Sequence, residues 1–128
     1  MRALLDPSAF LWFVSGSSEL SAEARQCIAD LDNDLFLSAA SLWEIAIKAS
    51  LGRLQLLSPF DELIPEQLVQ NAITVLPIEI PHLSKIIDLP FYHRDPFDRL
   101  IIGQSIAEDL PVITRDAAFN RYPVRLIW

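Results

Sequence analysis

A chain of 128 residues has the length of one domain and buries roughly two-thirds of the surface that its unfolded form exposes. With 52% hydrophobic and 21% charged residues, its composition is that of a well-cored soluble protein and excludes a disordered one. The net charge of −7 has the wrong sign for binding nucleic acid through a broad basic face, although acidity gathered into a cation-holding cluster leaves room for a nucleic-acid substrate.

The opening stretch MRALLDPSAFLWFVSG breaks its apolar run with Asp6 and Pro7. A secretory signal rarely tolerates that, so mature protein from Met1 and a cytoplasmic location are expected. No uncharged run is long enough to cross a bilayer. ALLD (3–6) reads as the first strand, and Ser21 to Leu31 as a helix whose first turn is acidic at Glu23, with Glu19 nearby. Within that helix lies the lone Cys27, which excludes an internal disulfide and a multi-cysteine metal site and is expected to pack as a small hydrophobe. LFLS (35–38) is the second strand, followed by a helix from Ala39 to Leu51 closed by Gly52 and another from Phe60 to Ala72. ITVLPI (73–78) is the third strand, Pro81 to Leu89 a further helix, and Leu89 to Arg94 a connection of ordinary length. The helix from Pro96 to Leu110 leads into PVITRD (111–116), and VRLIW (124–128) is the last strand. Strands alternating with helices imply βαβ crossovers: an α/β fold with a mainly parallel sheet covered on both faces, one domain over 1–128.

In RDPFDR, Asp95 suits the helix N-cap, Pro96 the first helical position and Asp98 the third, from which a carboxylate can reach back to the cap amide. That explains both acids without any function. Yet Asp6 and Asp116 each follow an apolar strand at its carboxyl end, where open parallel sheets bind ligands. Asp98 begins a helix that starts from the same rim, and Glu44 lies one to two turns into the helix leaving the second strand. Four carboxylates from four segments converge there. Crowded carboxylates raise one another's pKa, and a divalent cation relieves the crowding. Oxygen ligands without a His or Cys cluster suit Mg²⁺ or Mn²⁺, and phosphodiester cleavage is the chemistry such ions serve.

Structural readings stand beside these. Glu44 and Lys48 have the spacing of an ordinary helical ion pair, Asp6 fits a turn ahead of Pro7, and Asp116 fits a cap for the AAF turn. His82 and His93 have no partner at metal-ligand spacing and are assigned surface or packing roles. Trp12, Trp43 and Trp128 are assigned to the core. A phosphotransferase of the haloacid-dehalogenase type needs an acid where Ser8 stands. A receiver domain needs a lysine near the last strand, and the only lysines are Lys48 and Lys85.

LLDPSAFLW, SAASLWEIAIKASLGRL (38–54), HRDPFDRLIIGQSIAEDLPVITRDAAF (93–119) and the closing VRLIW together resemble PIN-domain proteins of the VapC toxin type. The resemblance covers nearly the whole chain in order. It implies a three-layer α/β/α sandwich with a parallel five-stranded sheet and Mg²⁺- or Mn²⁺-dependent endoribonuclease activity on RNA. It also implies frequent homodimerisation and inhibition by a small cognate antitoxin. Position by position, Asp6, Glu44, Asp98 and Asp116 match the family's catalytic, metal-binding acids. Ser8 matches a small hydroxyl residue two positions after the first aspartate, whereas Pro7 replaces the usual Thr or other small residue. Asp95 belongs to the DPFD form of one branch and is an accessory candidate, as is Ser8. Lys48, Arg94, Arg99 and Arg115 flank the acids as candidate phosphate contacts, with surface charge or carboxylate pairing as the other reading. A non-catalytic PIN-fold scaffold meeting a basic partner is the alternative from another functional class.

Overall fold

The computed structural model describes residues 1–128. Its elements in order are β1 (Arg2–Leu5), α1 (Pro7–Ser15), α2 (Ala22–Ala29), β2 (Asp34–Ser38), α3 (Ala39–Ser50) and α4 (Phe60–Gln70). After them come β3 (Ile73–Leu76), α5 (Ile80–Ile87), α6 (Pro96–Glu108), β4 (Val112–Ile113), a 3-10 turn (Ala117–Arg121) and β5 (Leu126–Ile127). The strands form one five-stranded sheet in the order β3-β2-β1-β4-β5, and every pairing is parallel.

Alternation along the strands builds two cores. Ala3 and Leu5 face a layer containing Phe10, Ile28, Leu35, Leu37 and Ile45, while Leu4 faces the opposite layer with Ile101, Ile102, Val112 and Phe119. A slip of one residue would exchange the two faces, and each fully buried Leu or Ile contributes about 1.5–3 kcal/mol, so the register is strongly held. Helices α1, α2 and α4 cover the first face and α5 and α6 the second, giving the expected three-layer sandwich. On the second face α5 and α6 pack backbone to backbone. A Cβ on Gly103 would lie 2.9 Å from the His82 carbonyl oxygen, which is why the smallest residue stands there.

Helix α1 has no counterpart among the helices expected from sequence. Its run SAFLWFVS shows no polar face to reveal a helical period, but its ends carry clear signals. Asp6 is the N-cap, Pro7 takes the first position, and Gly16 closes the helix at φ +67°, where a side chain would be strained.

Strand order reverses between β1 and β4: β2 and β3 extend to one side of β1, and β5 lies beyond β4 on the other. Ligands of such sheets bind in the crevice at the carboxyl ends of the strands flanking the reversal. Asp6 and Asp116 stand at that crevice, immediately after β1 and shortly after β4.

Candidate active site

The Asp6 amide donates to the Ile113 carbonyl at 3.1 Å, tying the end of β1 to β4. Its Oδ1 accepts from the Ala9 amide at 2.7 Å as the cap of α1, and its Oδ2 accepts from the Thr114 hydroxyl at 2.5 Å. Thr114 Oγ1 in turn accepts from the Asp116 amide at 3.0 Å, so one buried hydroxyl links both strand-end aspartates. Asp116 Oδ1 caps the 3-10 turn through the Ala118 amide at 2.9 Å, leaving Oδ2 toward the crevice. The capping role read for Asp116 and its place on the rim therefore coexist. Thr114 was absent from the sequence candidates, although it sits two residues before Asp116 in the quoted TRD.

At the start of α6, Asp95 Oδ1 accepts from the Phe97 and Asp98 amides at 2.8 and 3.3 Å, the N-cap expected from sequence. The reciprocal half of the box differs. The Asp95 amide donates to His93 Nδ1 at 3.4 Å, and Asp98 turns instead to His93 Nε2 at 2.9 Å. His93 Nε2 also lies 3.5 Å from Asp116 Oδ2, so the surface or packing role expected of this histidine is corrected: it stands inside the acidic cluster. No sequence spacing marks it, because its partners come from the first turn of α6 and from beyond β4.

Glu44 is buried on α3, with Oε2 accepting from Lys48 Nζ at 3.1 Å, so the helical ion pair forms within the site. Ligand atoms of Glu44, Asp95 and Asp98 lie within 4.8 Å of one another, as do those of His93, Asp98 and Asp116. Asp98 is the residue the two groups share. Asp6, exposed Ser8, Trp12, Arg115 and Asp116 line an adjoining hollow of about 280 Å³.

Among the basic candidates, Arg115 is half-exposed, pairs with Glu19 and stacks over the Trp12 ring at 4.5 Å. Arg94 is exposed beside an apolar groove. Arg99 is corrected. Only 6% exposed, its guanidinium donates to the carbonyls of Ile86, Leu89, Pro90 and His93 and has no face left for a phosphate. Trp43 is also corrected: it is 63% exposed, with its ring edge against Phe97, while its neighbour Glu44 takes the inward face of α3. Trp12 and Trp128 meet each other edge to face and pack, partly buried, against the first core.

Burial pushes the Asp6 carboxyl up from its ordinary 3.8; the Thr114 hydroxyl and Ala9 amide work against that rise, and Asp116 and Glu44 add to it. Asp98 is pushed from 3.8 to about 7, first by burial and then by Asp95, with Glu44 and Asp116 adding and His93 opposing. Apart from Lys48 beside Glu44, these crowded oxygens have little positive charge to offset them, and a hard divalent cation would relieve the crowding. A carboxyl with a raised folded pKa binds more protons folded than unfolded, so its contribution to stability is present below pH 3.8 and lost as pH rises through about 7. The metal-free protein is accordingly expected to melt at a lower temperature at pH 8 than at pH 5, and added Mn²⁺ to raise the midpoint more at pH 8. A midpoint that rises over this range and ignores Mn²⁺ would contradict the reading.

Comparison with known proteins agrees with this architecture. The sequence model of the PIN domain family matches residues 3–125. Ribonuclease VapC16 of Mycobacterium tuberculosis is 35% identical over 62 residues, 48% of this chain and 44% of that protein, so the match spans less than half of the relative's length. Among solved structures, VapBC2 from Rickettsia felis bound to a promoter DNA fragment superposes with a TM-score of 0.74 at 15% identity, covering 98% of this chain and 97% of that one. FitAcB from Neisseria gonorrhoeae gives 0.68 at 20% identity, covering 98% and 96%. At these identities the likeness establishes the fold.

Proposed function

The chain belongs to the PIN-domain family, and from that premise we propose that it is a divalent-metal-dependent endoribonuclease, hydrolysing RNA phosphodiester bonds as the toxin of a toxin-antitoxin pair. What supports the reading is that Asp6 and Asp116 line one hollow, while ligand atoms of Asp98 fall within 4.8 Å of those of Asp116 and His93 in one group and of Glu44 and Asp95 in another. The partial match to a protein named as a ribonuclease supports the substrate class.

Asp6, Glu44, Asp98 and Asp116 would hold Mg²⁺ or Mn²⁺. Such an ion, when bound, makes a water nucleophilic at neutral pH and offsets charge on the phosphate. The protein's own part is orientation. Thr114 fixes the outer oxygen of Asp6, Asp95 holds the first turn of α6, and Lys48 keeps Glu44 extended along α3. Lys48 and Arg115, each with a half-exposed side chain, and exposed Arg94 beside His93 are the cations left to meet phosphate. Ser8, exposed on the first turn of α1, stands at the hollow beside Asp6 as an accessory contact. The test is cleavage of single-stranded or structured RNA by the purified chain, freed of any partner. Cutting should require Mg²⁺ or Mn²⁺ and stop with EDTA. Metal-independent cutting would sink the mechanism, and metal binding without cutting would favour the scaffold reading.

The VapBC2 and FitAcB neighbours support a small antitoxin as partner, and the setting proposed for both proteins is the cytoplasm. An antitoxin segment with an arginine entering the acidic crevice suits the chain's charge of −7. No helix is long and apolar enough to cross a membrane. A homodimer is supported by a groove of about 620 Å³ whose lining includes Trp43, Leu83, Ile86, Phe91 and Phe97, with Trp43 and Phe91 well exposed. Light scattering should give twice the 14.5 kDa chain mass; a monomer at tens of micromolar would exclude a stable dimer.

A further inference from the structure

We propose that His93 is a positioning residue of the metal centre: its Nε2 edge lies against Asp98 and Asp116 and fixes how both carboxylates face the cation. The inference rests on the metal-dependent reading above and adds to it a residue that contacts the ligands rather than the ion.

The ring's tautomer follows from its surroundings. Nδ1 accepts from the Asp95 amide at 3.4 Å, which leaves Nε2 as the ring nitrogen that carries a proton. That nitrogen lies 2.9 Å from Asp98 Oδ2 and 3.5 Å from Asp116 Oδ2, where a lone pair would be repelled. Nε2 is therefore the ring edge that lies against both carboxylates.

The residue is held from every side. Its amide donates to the Tyr122 hydroxyl at 2.8 Å, and that hydroxyl donates to the Pro90 carbonyl at 2.7 Å. Its own carbonyl accepts from Arg99 Nη1 at 3.2 Å, and its ring meets Phe119 edge to face with centroids 6.0 Å apart. A ring fixed this firmly can orient the groups it touches. Asp98 and Asp116 lie on separate segments, the start of α6 and the cap of the 3-10 turn after β4, and His93 is the side chain that lies between them. Thr114 does the corresponding work on Asp6. Partners that orient metal ligands from behind set affinity by about 10- to 100-fold.

Mn²⁺ binding, followed by electron paramagnetic resonance on the full chain, tests the assignment. His93→Ala is expected to weaken binding by about 10-fold or more. His93→Gln, whose amide N–H reaches the place of Nε2, is expected to recover most of it. The Mn²⁺ spin-echo spectrum of the unsubstituted chain should show no directly coordinated nitrogen. Unchanged affinity in His93→Ala would overturn the proposal, as would equal losses in both variants. A nitrogen coupling that disappears in His93→Gln would make His93 a ligand and overturn it as well. A chain that binds no Mn²⁺ at all fails the metal reading itself, whereas binding indifferent to residue 93 fails only this inference.

Discussion

Asp98→Asn is expected to lower RNA cleavage by about 10³-fold, the equivalent of the several kcal/mol that a misplaced or missing metal costs a phosphoryl reaction. Asn keeps the size and helix position of Asp98 but removes the charge that two groups of ligand atoms share. The fold should not suffer. Above about pH 7 the native carboxylate is charged in a partly buried place beside Asp95, Glu44 and Asp116, so replacing it with a neutral amide should leave the metal-free melting temperature at pH 8 equal or higher. Asp95→Ala should do the reverse. It removes a cap on two amides at a cost of about 1 kcal/mol, and it also takes away the largest charge acting on Asp98, whose pKa should fall. Cleavage by that variant should persist, and its metal binding should extend to lower pH. Paired melting and cleavage measurements decide the matter: an active Asp98→Asn, or an inactive but fully stable Asp95→Ala, would reverse the division of labour between two acids three residues apart.

How far this division was legible depends on what carries the signal. Strand ends are marked by local composition, so the five strands and the rim positions of Asp6 and Asp116 follow from the sequence. The pair Asp-Pro occurs at both 6–7 and 95–96 and does the same work in both places, cap followed by first helical residue. It was readable at Asp95 because a periodic helix follows, and missed at Asp6 because α1 is apolar nearly all round. His93 was hidden for another reason. Its partners Asp98 and Asp116 are brought to it by tertiary packing, and no spacing rule describes a histidine five residues before one acid and far from another. Trp43 looked like core because of its size. On α3 the inward position beside it belongs to Glu44, whose burial Lys48 offsets, leaving the indole toward solvent.

Arg99 shows the limit most clearly, and Arg99→Met is expected to destabilise the fold by about 3 kcal/mol, the upper end of the cost of leaving a buried acceptor without its donor. In sequence it is one more basic residue in the first turn of a helix beside acids, the position from which a phosphate contact is most easily imagined. In the structure its acceptors are backbone carbonyls, which no side-chain pattern records. Nη1 donates to Pro90 and His93 at 3.0 and 3.2 Å, Nη2 to Ile86 and Leu89 at 3.2 Å each, and the Phe91 ring covers the guanidinium at 4.2 Å. Met fills a similar volume but leaves those oxygens without a donor, and each buried acceptor without a partner costs about 1–3 kcal/mol before relaxation and water entry reduce the sum. Lysine is no substitute, since a single ammonium cannot reproduce the planar fork. The consequence reaches the site, because the segment that Arg99 fastens ends in His93 and Asp95. Denaturant titration should therefore show a lower midpoint with an unchanged slope, and Mn²⁺ affinity of the still-folded fraction should fall with it. A loss below about 1 kcal/mol would mean that water replaces the guanidinium without penalty, and the carbonyl cage would then be incidental to the fold.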